Sequence, residues 1–275
     1  MKTLHVIVGL PRSGSTLLSA VLGQNPRFSA GMTSALAGII RSARISMGPE
    51  SEFSITIDDA RRERVLRAIF EAYHDDGQAA DVVFDTSRSW AANIPLLARL
   101  YPNVKVIACV RNPAWVLDSI ERLVRDNPLG LSRIFRSGAE LATVYSRANA
   151  LLEPDRMIGL AWNSLLEGFY GAEAHRMLLI DYAVLCKRPA ETMARLYDFI
   201  DEPLFNHDFE KISAPATPFD DFIGLPGLHR VGGSLEWRPR ASILPPDLFE
   251  RFSSMAFWHD SSSTKATFIT EPLAA

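Results

Sequence analysis

A chain of 275 residues that is 47% hydrophobic and 22% charged can bury a substantial core without disulfide or metal staples. Its formal net charge of −3 provides no basic field for a nucleic-acid partner. Its two cysteines, Cys109 and Cys186, stand in apolar runs away from any CxxC or Cys/His cluster, so they are expected to be buried small hydrophobes, and no metal site is predicted.

The opening MKTLHVIVGLPRSGS holds an apolar run too short for a secretory leader or a membrane span, so a cytoplasmic protein with no membrane partner is expected. Thr3 to Val8 is apolar and β-branched, the pattern of a buried parallel strand. Gly9 to Gly14 breaks it, and Ser15 to Leu22 reads as a helix stopped at Asn25-Pro26. Asp58 to Tyr73 is an amphipathic helix, with Val65, Leu66, Ile69, Phe70 and Tyr73 at helical spacing. Asp81 to Phe84 is a second strand, and Ile94 to Leu100 a helix ended by Pro102. Val104 to Val110 is a third strand. Asn112 then reads as an N-cap with Pro113 in the first turn, opening a helix through Val124. Leu141 to Leu152 and Leu165 to Tyr170 are helical, Met177 to Asp181 is a fourth strand, and Pro189 to Ile200 is a helix. From 204 to 245 prolines, glycines, aromatics and arginines mix, the composition of a long functional loop. Leu248 to Phe257 closes the chain as a helix. One domain over 1–275 is expected. Strands alternating with helices predict a parallel α/β sheet, whose ligands bind beyond the carboxyl ends of the strands. The segments after Val8, Phe84 and Val110 fall there.

Gly9-Leu-Pro-Arg-Ser-Gly14-Ser-Thr16 has the GxxxxG spacing that curls backbone N–H groups around an anion, and the helix that follows adds its positive end. A nucleoside-triphosphate loop continues with lysine, whereas Ser15 stands there in this chain. The cation sits inside the loop as Arg12, and no strand of Walker-B type offers Mg²⁺ a ligand. A guanidinium in the loop suits an anion held by forked hydrogen bonds. The second motif, Val110-Arg111-Asn-Pro-Ala-Trp-Val-Leu-Asp-Ser119, leaves the third strand. Arg111 stands at the strand end and Ser119 two helical turns past Asn112, a clamp for a second phosphate. The alternative for Arg111 is a plain ion pair with Asp118 or Glu121.

PRSGSTLL (Pro11 to Leu18) and VRNPAWVLDS (Val110 to Ser119) together resemble the two signature segments of sulfotransferases that use 3′-phosphoadenosine-5′-phosphosulfate (PAPS). The arginine-bearing loop is closer to the tyrosylprotein and bacterial branch than to the lysine-bearing cytosolic branch. The resemblance implies a P-loop-NTPase-like three-layer sandwich, a parallel sheet flanked by helices. It implies PAPS as donor, PAP as product and no metal. It also implies that Pro11, Arg12, Ser13, Gly14, Ser15 and Thr16 hold the 5′-phosphosulfate while Arg111 and Ser119 hold the 3′-phosphate. Weaker matches follow. Leu179-Ile-Asp-Tyr182-Ala-Val-Leu with Arg188-Pro189 resembles a strand-to-helix segment of the family. His229-Arg-Val-Gly-Gly233 resembles its closing loop, with Arg230 and Gly232 on the nucleotide and Arg238 or Arg240 as substitutes.

Sulfo transfer by in-line displacement asks for positioning and fixed positive charge. Arg12 and Arg88, the latter in Phe84-Asp-Thr-Ser-Arg88, are the candidate cations, Arg88 having a surface pairing with Asp81 or Asp85 as its alternative. Tyrosylprotein sulfotransferases place a glutamate after the first helix. Here Ala30-Gly-Met-Thr33-Ser-Ala35 has no carboxylate, which leaves Asp85 and His229 as candidate bases. Asp85 equally suits orienting Arg88 or capping a turn, and His229 has a structural or merely exposed role as its alternative. The expected acceptor is a small molecule presenting a hydroxyl, amine or amide nitrogen, in a pocket drawn from Gly31–Ile40, Trp90, Leu123–Phe135 and Phe219–Trp237. The rival readings are a metal-dependent small-molecule kinase and a non-catalytic nucleotide-binding protein. A homodimer is compatible with the sequence, though no coiled coil announces one.

Overall fold

The computed structural model describes residues 2–75, 80–213 and 218–270. In chain order the first half holds β1 (Thr3–Gly9), α1 (Ser15–Leu22), β2 (Phe28–Ala30), α2 (Leu36–Ser46), α3 (Asp59–Tyr73), β3 (Val82–Thr86), α4 (Ile94–Leu100), β4 (Val106–Val110) and α5 (Pro113–Asp126). The second half holds α6 (Gly138–Leu141), α7 (Val144–Leu152), α8 (Met157–Tyr170), β5 (Met177–Asp181), α9 (Tyr182–Lys187), α10 (Pro189–Phe199), α11 (Pro218–Ile223), α12 (Pro246–Ser253) and β6 (Thr267–Ile269). Among the described residues no helix is long and apolar enough to cross a membrane.

The strands form one sheet in the order β2-β3-β1-β4-β5-β6, every pair parallel. Because side chains alternate across a strand, the sheet divides its apolar residues between two layers. Val6, Val8, Val106, Ala108 and Leu179 face a layer built by α2, α3, α4, α5, α7, α8 and α12, with Leu66, Phe70, Leu117, Leu165, Phe169 and Phe252 at its centre. Ile7, Ile107, Cys109, Leu178 and Ile180 face the other, built by α1, α9 and α10. Both cysteines are buried and unpaired. The sheet is therefore apolar on both faces, which is why its strands read as near-continuous hydrophobic runs.

Several elements differ from expectation. β2 and β6 are three-residue edge strands, too short to show a period. α2 arises in a segment predicted only as pocket wall, and it buries just Leu36 and Ile40. The helix predicted at Leu141 to Leu152 is two helices, because Thr143 opens α7 with a capping box to Ser146. The helix predicted from Leu165 begins at Met157, its period interrupted in sequence by Gly159 and Gly168. The loop predicted at 204–245 contains α11, and its residues 214–217 lie outside the described residues.

Candidate active site

β1 runs between β3 and β4 to the carboxyl edge of the sheet. There Gly9 (φ +133°) and Gly14 (φ +99°) turn the chain. A Cβ on Gly9 would lie 2.0 Å from the Cys109 carbonyl oxygen, and one on Gly14 would lie 3.0 Å from the Tyr182 ring. Arg12 between them also has positive φ, +59°, at a cost of about 1–2 kcal/mol for a non-glycine residue. Ser13 is buried, its hydroxyl donating to the carbonyls of Leu10 (2.6 Å) and Cys109 (2.8 Å). Its side chain thus anchors the loop to β4. Pro11, Arg12, Gly14, Ser15 and Thr16 line a cavity of about 340 Å³ at the start of α1, where amides and helix dipole favour an anion.

The second motif forms the next wall. Asn112 caps α5 by accepting the Ala114 N–H at 2.9 Å, which fixes where Arg111 leaves β4. The Arg111 guanidinium lies 4.4 Å from the centre of the Tyr182 ring and donates to the Arg12 carbonyl at 3.2 Å. Tyr182 is held there because Asp181 caps α9 through the Ala183 N–H at 2.7 Å. Asp118 and Glu121 are not the partners of Arg111. Asp118 is taken by Arg122, Arg240 and the Ile243 N–H, and Glu121 by Arg125 and Arg147.

Arg12, predicted to stabilise the charge of the transferred group, lines the cavity and also reaches across to the second motif. Its Nε donates to Ser119 Oγ at 3.1 Å, and its terminal nitrogen donates to the carbonyls of Gly227 (3.3 Å) and Leu228. Ser119 itself is buried, and the side chain touching it that lines the cavity is Arg12. Burial lowers the pKa of both arginines, and each guanidinium also meets like charge, Arg12 from Arg111 and Arg111 from Arg240. Among the described residues neither is hydrogen-bonded to a carboxylate, and Arg111 Nε is buried without a hydrogen-bond partner. Two adjacent cations with spare donors are arranged for a polyanion.

The segment after β3 separates the other two candidates. Arg88 lines the cavity with Thr86 and Ser87 and is braced by a bond to the Met157 carbonyl at 3.0 Å. Burial lowers its pKa. Its alternative partner Asp81 pairs with Arg27. Asp85 does not line the cavity: its buried carboxylate accepts the Trp90 indole N–H at 2.6 Å and faces His74 Nε2 at 3.2 Å. Alternation along β3 turns it into the helix layer, away from the ligand edge. Trp90, predicted in the acceptor pocket, is buried against Phe70, with ring centres 5.4 Å apart.

The loop from Leu228 to Ser234 covers the remaining side. Arg230 is exposed and lines the cavity with Gly232; the substitute Arg238 lines it too, paired with Glu236, whereas Arg240 does not line it and pairs with Asp118. His229 lines the cavity too, and its Nδ1 lies 2.5 Å from Asp220 on α11. Nothing in the sequence ties Asp220 to a histidine nine positions on. A second recess of about 720 Å³ shares Thr16, Met32 and Thr33 with the first and adds Ala30, Gly31, Phe219 and Phe222. Leu123–Phe135 lines neither. It buttresses α11 instead, through Arg133 N–H and Ser132 Oγ on the Ile223 carbonyl and Arg133 over the Phe222 ring at 4.3 Å. Among the described residues no group of three or more His, Cys, Asp or Glu side chains is arranged for a metal ion.

The six-stranded parallel sheet flanked by helices has the α/β fold of solved sulfotransferase structures. Two solved structures share it. The sulfotransferase domain from the curacin biosynthetic pathway superposes with a TM-score of 0.57 at 17% identity, over 92% of this chain and 97% of that one. The sulfotransferase domain of the Synechococcus PCC 7002 olefin synthase gives 0.55 at 17% identity, over 92% and 95%. The model of the sulfotransferase family matches residues 6–206, and the chain belongs to that family. No curated protein sequence matches it.

Proposed function

We propose that the protein transfers a sulfo group from PAPS to a hydroxyl, amine or amide nitrogen of a small-molecule acceptor. The observation that carries this reading is the pair Arg12 and Arg111, side by side on one cavity, with Arg111 Nε buried and unpartnered. Burying an unpaired guanidinium is costly, and a bisphosphate nucleotide would supply the missing acceptors. In this reading the α1 amides with Ser15 and Thr16 receive the 5′-phosphosulfate. Arg111, stacked on Tyr182, receives the 3′-phosphate, and Arg12 links Ser119 to that side. Arg230 and Gly232 close over the nucleotide. PAPS supplies the sulfo group and leaves as PAP. Arg88, across the cavity, faces the negative charge that develops on the departing side. His229 takes the acceptor proton, and the recess between Thr33 and Phe219 takes the acceptor's body, its apolar lining matching an apolar substituent.

Calorimetric titration with PAP in EDTA, beside ATP with Mg²⁺, tests the reading. Metal-independent PAP binding that is lost in Arg12→Ala and Arg111→Ala supports it. Binding of ATP alone, and only with Mg²⁺, would replace it with the kinase reading. PAP binding with no transfer to any acceptor would favour a non-catalytic nucleotide-binding protein.

A further inference from the structure

One carboxylate grips His229 twice. Asp220 Oδ1 lies 2.5 Å from the ring Nδ1, and Asp220 Oδ2 accepts the His229 backbone N–H at 2.9 Å. The Phe219 ring meets the imidazole edge-on, with centres 5.4 Å apart. Ring, main chain and face are therefore all fixed by two consecutive residues of α11. A carboxylate on Nδ1 keeps the proton on that nitrogen, so Nε2 is left with its lone pair. The charged groups facing the imidazole are Asp220 from α11, Arg12 from the loop after β1 and Arg88 from the segment after β3. Burial and the two guanidiniums favour the neutral ring, Asp220 opposes them, and the net pKa lies below the ordinary histidine value. A neutral, tautomer-locked imidazole at neutral pH is a proton acceptor. Phe219 also lines the second recess while His229 lines the first, so α11 contributes a wall of one and fixes the imidazole of the other.

We infer that Asp220 is a positioning residue holding His229 as a base with Nε2 toward the donor cavity, and that the acceptor is an un-ionised hydroxyl on an apolar group. This rests on the sulfo-transfer reading. The step balances as follows: the acceptor oxygen bonds to sulfur while the bond from sulfur to the bridging phosphate oxygen breaks. The bond pair leaves with PAP, and the hydroxyl proton passes to His229 Nε2. An acceptor that is already ionised needs no such base, which separates this role from a structural one.

The test uses the full chain labelled with ¹⁵N-histidine, with long-range ¹H–¹⁵N spectra near neutral pH and His229 assigned by its loss in His229→Gln. The wild type is expected to carry its proton on Nδ1. Asp220→Asn can donate to Nδ1 and is expected to move the proton to Nε2. A wild-type His229 protonated on Nε2 overturns the inference without reference to any variant. In turnover with PAPS, Asp220→Asn is expected to slow transfer to benzyl alcohol by about a hundredfold or more, while transfer to 4-nitrophenol, which ionises readily, changes by less than about threefold. Equal slowing of both overturns it. PAP affinity is the separate control: a wild type that fails to bind PAP sinks the sulfo-transfer reading and leaves the tautomer result standing.

Discussion

Replacing Arg111 by methionine keeps most of the side-chain stem and removes the charge. In the unliganded protein the change removes the contact with Tyr182 at 4.4 Å and one hydrogen bond to the Arg12 carbonyl. These losses are worth about 0.5–1 and about 1 kcal/mol. It also relieves a half-buried cation with an unpartnered Nε beside a second cation, a gain of similar size. Stability without ligand should therefore change by no more than about 1 kcal/mol. Binding should not be so forgiving. Two charge-assisted bonds to a phosphate contribute about 1.5–3 kcal/mol each, so their loss weakens PAP binding by roughly 10²–10⁴-fold. Calorimetry with PAP and thermal melts with and without PAP measure both quantities on one sample. A variant that melts much earlier yet binds PAP like the wild type would refute the argument, because Arg111 would then be holding the fold rather than the ligand.

Asp85→Asn should cost about 1–3 kcal/mol in denaturant unfolding, through its buried contacts to Trp90 and His74, while leaving kcat within about twofold; a collapse of kcat at normal stability would restore Asp85 to the chemistry. Asp118→Asn should destabilise by about 2–4 kcal/mol, because it unpairs Arg122 and Arg240 around a buried carboxylate. Burial resists ionisation of Asp118, but Arg122, the Ile243 N–H and Arg240 outweigh it and its pKa is lowered. Its contribution is therefore present above the ordinary aspartate pKa and lost as pH falls through the lower folded value, so acid unfolding of the wild type should be steeper than that of the variant. Gly9→Ala places a Cβ 2.0 Å from the Cys109 carbonyl and should leave little folded protein, as judged by circular dichroism. Since the His229 pKa is lowered from 6.5, kcat with an alcohol acceptor should rise with pH and level off below that value; a rise continuing well above it would point to another base.

Both anion motifs were legible in the sequence because each is local. A strand, a glycine turn, an arginine and a helix start within ten residues dictate their own geometry. What each side chain does was less legible, because it depends on where distant segments land. Arg12 reads as a cation for the transferred group, yet the arrival of Gly227, Leu228 and Ser119 on one side gives its donors other acceptors. Asp85 reads as the end of a strand at the ligand edge, but one residue of pleat decides which layer it enters, and Trp90 and His74 wait in that layer. Trp90 reads as a pocket aromatic because aromatics serve cores and pockets alike. The pairing of Asp220 with His229 arises only when α11 and the turn after Gly227 fold against each other. The edge strands β2 and β6, at three residues each, carry too few side chains for a period to appear.

The single guanidinium of Arg12 joins positions that are far apart along the chain: its bond to Ser119 spans 107 residues and its bond to Leu228 spans 216. Contacts of such range close late in folding, since the chain entropy of the intervening segment is lost before they form. β1, β3 and β4 can pair from the first 110 residues, but the cavity beyond their carboxyl ends lacks a wall until residues beyond 227 have arrived. During synthesis the ligand therefore has nothing complete to bind until most of the protein has emerged. A ligand seated in that cavity would then act as a final fastener, joining residues beyond 227 to the strands β1, β3 and β4 already paired.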